Sequence, residues 1–152
     1  MAANWFNCKV SYEKTMENGL QKKVTEPYLV DALSFTEAEA RIIQEMQPYI
    51  SGEFTVADIK RARYNELFFN ADGDRYYECT LEFITLDEKS GAEKKTRCRV
   101  LVQASTLKEA MANLEEGMRG TMADYNSVCI KETPIMDVFP YNCDKEPTTG
   151  DN

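Results

Sequence analysis

Three cations fall in four positions at Lys60-Arg61-Ala62-Arg63, and Arg97 and Arg99 alternate with Cys98 and Val100 further along. Cations at such spacing hold a phosphate chain when a neighbouring aromatic ring stacks the attached bases. Trp5 and Tyr76 are rings of that kind, and Lys9 shares the parity of Trp5. On these grounds Trp5, Lys9, Tyr76, Arg97, Arg99, Lys60, Arg61 and Arg63 are the candidate binding residues. A second reading stands beside it. Trp5 and Tyr76 would pack at a junction or a dimer interface, and the cations would block an exposed sheet edge.

Catalytic chemistry finds less support. The chain has no histidine, which removes the usual general base and the common zinc ligand. Its five cysteines, Cys8, Cys79, Cys98, Cys129 and Cys143, form no C-x-x-C pair and read as reduced thiols in a cytoplasmic protein. Asp72-Gly73-Asp74 offers two carboxylates but lacks the spaced oxygen ligands of a calcium loop, so it reads as a turn. Glu37/Glu39 and Glu115/Glu116 fall on helical stretches and read as solvated faces. No catalytic residue, metal or cofactor is assigned, and the chain is expected not to be an enzyme.

The elements that carry these residues come from an internal repeat. Lys22–Ala40 and Lys94–Ala112 keep Lys-Lys, Leu-Val, Glu-Ala and a final Ala at one offset, and a one-residue slip extends the match on both sides. The two copies cover about residues 4–69 and 75–140, and a unit this short rarely closes a core alone. Each copy begins with a run alternating apolar and polar: Phe6, Cys8, Val10, Tyr12, then Tyr77, Cys79, Leu81, Phe83. Period two with one apolar face marks a half-buried strand. Asn18-Gly19 and Ser90-Gly91 turn the chain back into a second strand, because glycine takes positive φ without a Cβ clash. Ser34 with Glu37, and Thr106 with Glu109, form capping boxes that open a helix. Phe35, Ala38, Ile42, Met46 and Tyr49 line the first helix. Leu107, Ala110, Met111, Leu114, Met118 and Met122 line the second. A third strand follows near Phe54–Tyr64 and Tyr125–Ile135.

The expected fold is α+β: a tandem β-β-α-β repeat of six strands, mainly antiparallel, with two helices on one face and a pseudo-twofold axis. Each third strand should run parallel to the second and lie beside the first. Residues 1–143 should form one domain, and 144–152 a disordered tail.

The chain has 152 residues and a net charge of −8, from 18 Lys and Arg against 26 Asp and Glu. That balance disfavours non-specific adhesion to nucleic acid or anionic membrane. No apolar run approaches the ~20 residues of a membrane span, and no secretion signal opens the chain. The stretches WFNCKVSYEK, VTEPYLVDALSFTEAEARI and YISGEF resemble an uncharacterised family, a domain of unknown function carried by short bacterial and bacteriophage-borne proteins. The resemblance covers most of the chain and carries no catalytic residue with it. It implies a phage or mobile-element setting, suited to a replication accessory or a protein that blocks a host factor. The expectation is a cytoplasmic, non-enzymatic binding or adaptor protein acting through protein–protein contacts, without a membrane, as a monomer or a homodimer. Binding of single-stranded nucleic acid is the alternative.

Overall fold

The computed structural model describes residues 4–140. The expected tail at 144–152 lies outside them, as does Cys143. The fold is α+β, with two helices and eight strands in two mixed sheets.

The described chain divides into two compact units. Unit 1 runs to Ala62 and resumes at Ile135; unit 2 is Arg63–Pro134. Unit 1 holds β1 (Trp5–Thr15), β2 (Gln21–Asp31), α1 (Phe35–Met46) and β3 (Phe54–Ala62). Unit 2 holds β4 (Glu66–Phe68), β5 (Arg75–Leu86), β6 (Glu93–Ala104), α2 (Leu107–Gly117) and β7 (Asp124–Glu132). Unit 1 is completed by β8 (Val138–Phe139).

The unit 1 sheet has the order β3-β1-β2-β8 and the unit 2 sheet β4-β6-β5-β7. In both, the third long strand pairs antiparallel with the first and so runs parallel to the second, as expected of a strand that follows a helical crossover. A fourth, short strand then pairs parallel with the second: β8 beside β2, and β4 beside β6. The expectation of six strands is corrected to eight. With two and three residues, β8 and β4 are too short to show a period.

Local chemistry explains the elements. The hairpin turns place Gly19 at φ 84° and Gly91 at φ 73°, a backbone region that residues with a Cβ rarely adopt. The amide of Glu37 donates to Ser34 Oγ at 3.1 Å, and the amide of Leu33 donates back to the Glu37 carboxylate. The amide of Glu109 donates to Thr106 Oγ1 at 3.1 Å, and the amide of Ser105 to Glu109 Oε1 at 3.1 Å. Each box contributes about 1 kcal/mol.

Each sheet buries one face under its own helix. In unit 1, Phe6, Cys8 and Val10 of β1 meet Tyr28, Val30 and Ala32, with Ala38, Ile42 and Met46 above them. In unit 2 the set is Tyr77, Cys79 and Leu81, then Val100, Val102 and Ala104, under Ala110 and Leu114. Each large side chain so buried contributes roughly 1.5–3 kcal/mol. The helical stripes are narrower than their sequence period suggests. Phe35, Tyr49, Leu107, Met111 and Met122 are exposed: Tyr49 and Met122 lie past the ends of α1 at Met46 and α2 at Gly117, and Phe35, Leu107 and Met111 lie within the helices beside the buried seam. The residues that flank the inner seam then turn toward solvent.

Candidate functional site

The candidate binding residues are divided between the units: Trp5, Lys9, Lys60 and Arg61 belong to unit 1, and Arg63, Tyr76, Arg97 and Arg99 to unit 2. Trp5 at the head of β1 is 6% exposed and Tyr76 near the head of β5 is 5% exposed. Neither presents a ring face on which a base could stack. Lys9 is exposed on β1, in register with Asp58 of β3. On the edge strand β3, Lys60 lies 3.9 Å from Asp58, and the guanidinium of Arg61 covers the Phe6 ring at 5.2 Å. Arg63 is exposed where unit 2 begins.

Arg97 and Arg99 do share a face, in unit 2, but their charges are met there. Arg97 lies 3.6 Å from Glu82, its partner across the β5/β6 ladder. Arg99 lies 3.7 Å from Glu78, and Lys131 of β7 approaches the same carboxylate at 4.0 Å. The Tyr64 hydroxyl donates to Glu78 at 3.0 Å, and the Arg99 guanidinium lies 5.5 Å over the Tyr64 ring. Burial, with the Glu78 carboxylate, pushes the Tyr64 phenol well above its usual range, against the opposing pull of Arg99. This is a satisfied network of alternating charge, suited to fixing three strands and Tyr64 to one another.

One hollow in unit 2 lies on the helix side. A groove of about 510 Å³ opens between the sheet, β4 and the C-terminal end of α2. Its walls are Phe68, Leu81, Phe83, Val100 and Met118, with the Cys98 thiol among them; Asn65, Thr85, Thr96, Thr121 and the exposed carboxylate of Glu66 stand around it. Gly117 makes room for one wall. A Cβ at that position would meet the Phe68 ring at 2.6 Å. Burial raises the Cys98 thiol, which leaves it protonated and poorly nucleophilic at neutral pH. Volume and lining fit the usual description of a small-molecule or side-chain pocket. A model of the domain of unknown function DUF4494 matches residues 4–141. The chain belongs to this family. No curated protein and no solved structure matches it.

Sequence reasoning about this DUF4494 chain missed the groove and a second cluster in unit 1. There Glu26, on the core side of β2, accepts from the Tyr12 hydroxyl at 3.0 Å and the Tyr28 hydroxyl at 3.2 Å, with Lys14 at 4.0 Å. Burial and the neighbouring Glu26 carboxylate raise both phenols. The signal was present in the parity, since Glu26 stands among Val24, Tyr28 and Val30 on the inward side of its strand.

The thiols give a first prediction. Cys8 and Cys79 are fully buried, Cys98 is half-buried and Cys129 is exposed. Burial pushes Cys8 from 9.0 up to about 12. Cys79 rises from 9.0 to about 11 by burial, with smaller contributions from Cys129 and Glu78. A native-state maleimide pulse read by peptide mass mapping should therefore label Cys129 first, Cys98 more slowly, and Cys8 and Cys79 only on unfolding. Above pH 9 the unfolded chain releases thiol protons that the folded chain keeps. Stability should then fall with rising pH, by at most about 1.4 kcal/mol per pH unit per thiol. The double variant C8A/C79A should show a shallower decline between pH 9 and 10, measured by urea unfolding. An unchanged slope would show that these thiols do not control alkaline stability.

Proposed function

We propose that the protein is a non-enzymatic binding protein that acts through protein–protein contacts, with the unit 2 groove as its docking site. The supporting observation is the groove's composition: apolar walls, a protonated thiol and a mainly neutral polar rim whose one charged member, Glu66, is exposed to solvent. Pockets that bind without reacting have this make-up. A reacting site would bring together titratable groups with pKa values pushed apart. The neutralised Arg97 and Arg99 and the buried Trp5 and Tyr76 favour this reading over a single-stranded nucleic-acid platform. A phage or mobile-element setting, implied by the sequence resemblance, suits a small protein that occupies a host factor, and the reduced thiols suit a cytoplasmic one.

The test is affinity capture from a native host, with and without nuclease, using the wild type and Thr96→Glu. Thr96 is exposed at the groove and pairs with Phe83 across the ladder, so the variant adds a charge there without disturbing the core. A partner that survives nuclease and falls at least about tenfold with T96E, equivalent to 1.4 kcal/mol, supports the reading. A partner that ignores T96E overturns the docking site. Loss of all binding on nuclease treatment returns the nucleic-acid reading.

A further inference from the structure

The strand registers place the groove at a known point of the fold. In unit 1, Cys8 pairs with Tyr28, Val10 with Glu26 and Tyr12 with Val24. In unit 2, Cys79 pairs with Val100, Leu81 with Cys98 and Phe83 with Thr96. On the short parallel strands, Phe139 stands opposite Val30, and Phe68 opposite Val102. Phe139 and Phe68 therefore occupy matching points of their own sheets. In unit 1 the space beside Phe139 is filled by the Tyr28 ring, stacked on it at 6.0 Å between centroids and 19° between planes. Glu26 holds that ring's hydroxyl. In unit 2, Val100 stands where Tyr28 would be and Cys98 where Glu26 would be, and the groove opens beside Phe68.

The element missing from unit 2 is thus one aromatic ring. We propose that the groove takes the uncharged aromatic ring of a partner protein's Phe, Trp or Tyr side chain, stacked on Phe68 above Val100. The proposal rests on the reading of the groove as a protein docking site and specifies what enters it. A thiol is a weak acceptor where unit 1 has a carboxylate. The one carboxylate at the groove, Glu66 opposite Val100, is exposed and already solvated, so a ring hydroxyl gains little there and Phe and Trp should bind at least as well as Tyr.

The probes are the N-acetyl amides of Trp, Phe, Tyr and Leu, titrated into the whole protein and followed by amide chemical shifts. The Trp and Phe amides should shift Phe68, Cys98 and Val100 saturably and bind about three- to tenfold more tightly than the Leu amide, the usual preference of a ring for a ring. Val100→Tyr supplies the ring internally and should abolish the shifts. Equal binding of the Leu amide would overturn the aromatic preference while leaving an apolar docking site in place. No shift from any amide at the limit of solubility would overturn the proposal, and the T96E capture would then judge the docking site separately. Should V100Y fail to fold, the wild type provides the second measurement. The Trp amide should slow maleimide labelling at Cys98 and leave the exposed Cys129 unchanged, and equal labelling with and without the amide would overturn the proposal.

Discussion

A chain ending at Pro134 is expected to lose the fold of unit 1. The missing residues include β8, only two residues long, yet the sheet depends on it. The amide of Leu29 donates to Asp137 O at 3.0 Å, and the amide of Met136 donates to Pro27 O at 2.9 Å. Arg41 on α1 reaches both ends of this arrangement, donating to Asp31 O and, at 3.0 Å, to Pro140 O. Ile135 and Val138 are buried, and Phe139 stacks on Tyr28. Two buried aliphatic side chains contribute roughly 1.5–3 kcal/mol each. Three hydrogen bonds add about 1 kcal/mol each. The loss is comparable with the whole stability of a domain, about 5–15 kcal/mol. Hydrogen exchange should show β1 and β2 amides losing protection in the truncated chain, with the melting transition lowered or absent. Retention of wild-type protection in β2 would refute the dependence. Phe139→Ala should give a smaller loss of the same kind, about 3 kcal/mol.

The same pairing explains which parts of the fold could be read from the sequence. The long strands, both hairpins, both helix starts and nearly every core residue follow from local rules, because parity, a glycine at positive φ and a Ser or Thr three residues before a Glu each act within a few residues. Even the Arg97–Glu82 pair is implied locally, since the turn at Ser90-Gly91 fixes which residues of β5 and β6 face each other. The β8 strand has no such signature. Its place is decided by Leu29 and Val30, more than a hundred residues earlier, and two residues cannot display a period. The groove was hidden for a related reason. It arises because Val100 is small where Tyr28 is large, and because β4 carries Phe68 to the end of α2. The burial of Trp5 and Tyr76 also departs from parity, which places them on the face away from the helices yet cannot say whether that face is wet. Composition and spacing identify the residues able to bind; tertiary placement decides which of them remain available.

Gly73→Ala is expected to be among the most damaging single substitutions, for a reason the sequence conceals. In Asn70–Asp74 this glycine reads as an ordinary turn residue, valued for positive φ. Gly73 is not among the glycines with positive φ, which are Gly19, Gly91 and Gly120. What it needs is room. A Cβ at Gly73 would lie 2.6 Å from both Ala104 Cα and Ala104 N, and 2.8 Å from Ala104 C. These are backbone atoms, so no rotamer relieves the overlap. The backbone cannot easily withdraw, because Gln103 clamps this connector from both sides. Its side-chain oxygen accepts from the Asn70 amide at 3.0 Å, and its side-chain nitrogen donates to Gly73 O at 3.0 Å. Ser105 Oγ adds a bond to Asp72 O at 3.1 Å. Separating the strands at this point would break the ladder where Arg75 faces Ala104, so overpacking here should cost about 3 kcal/mol. Gly19→Ala is the control: its φ of 84° is unfavourable for alanine, but nothing lies within 4 Å of the added Cβ. Its cost should be only about 1 kcal/mol, falling further for Gly19→Asn, which tolerates that conformation. Urea unfolding of the three variants separates the two causes. A G73A stability within about 1 kcal/mol of wild type would mean that the close approach to Ala104 relaxes without cost.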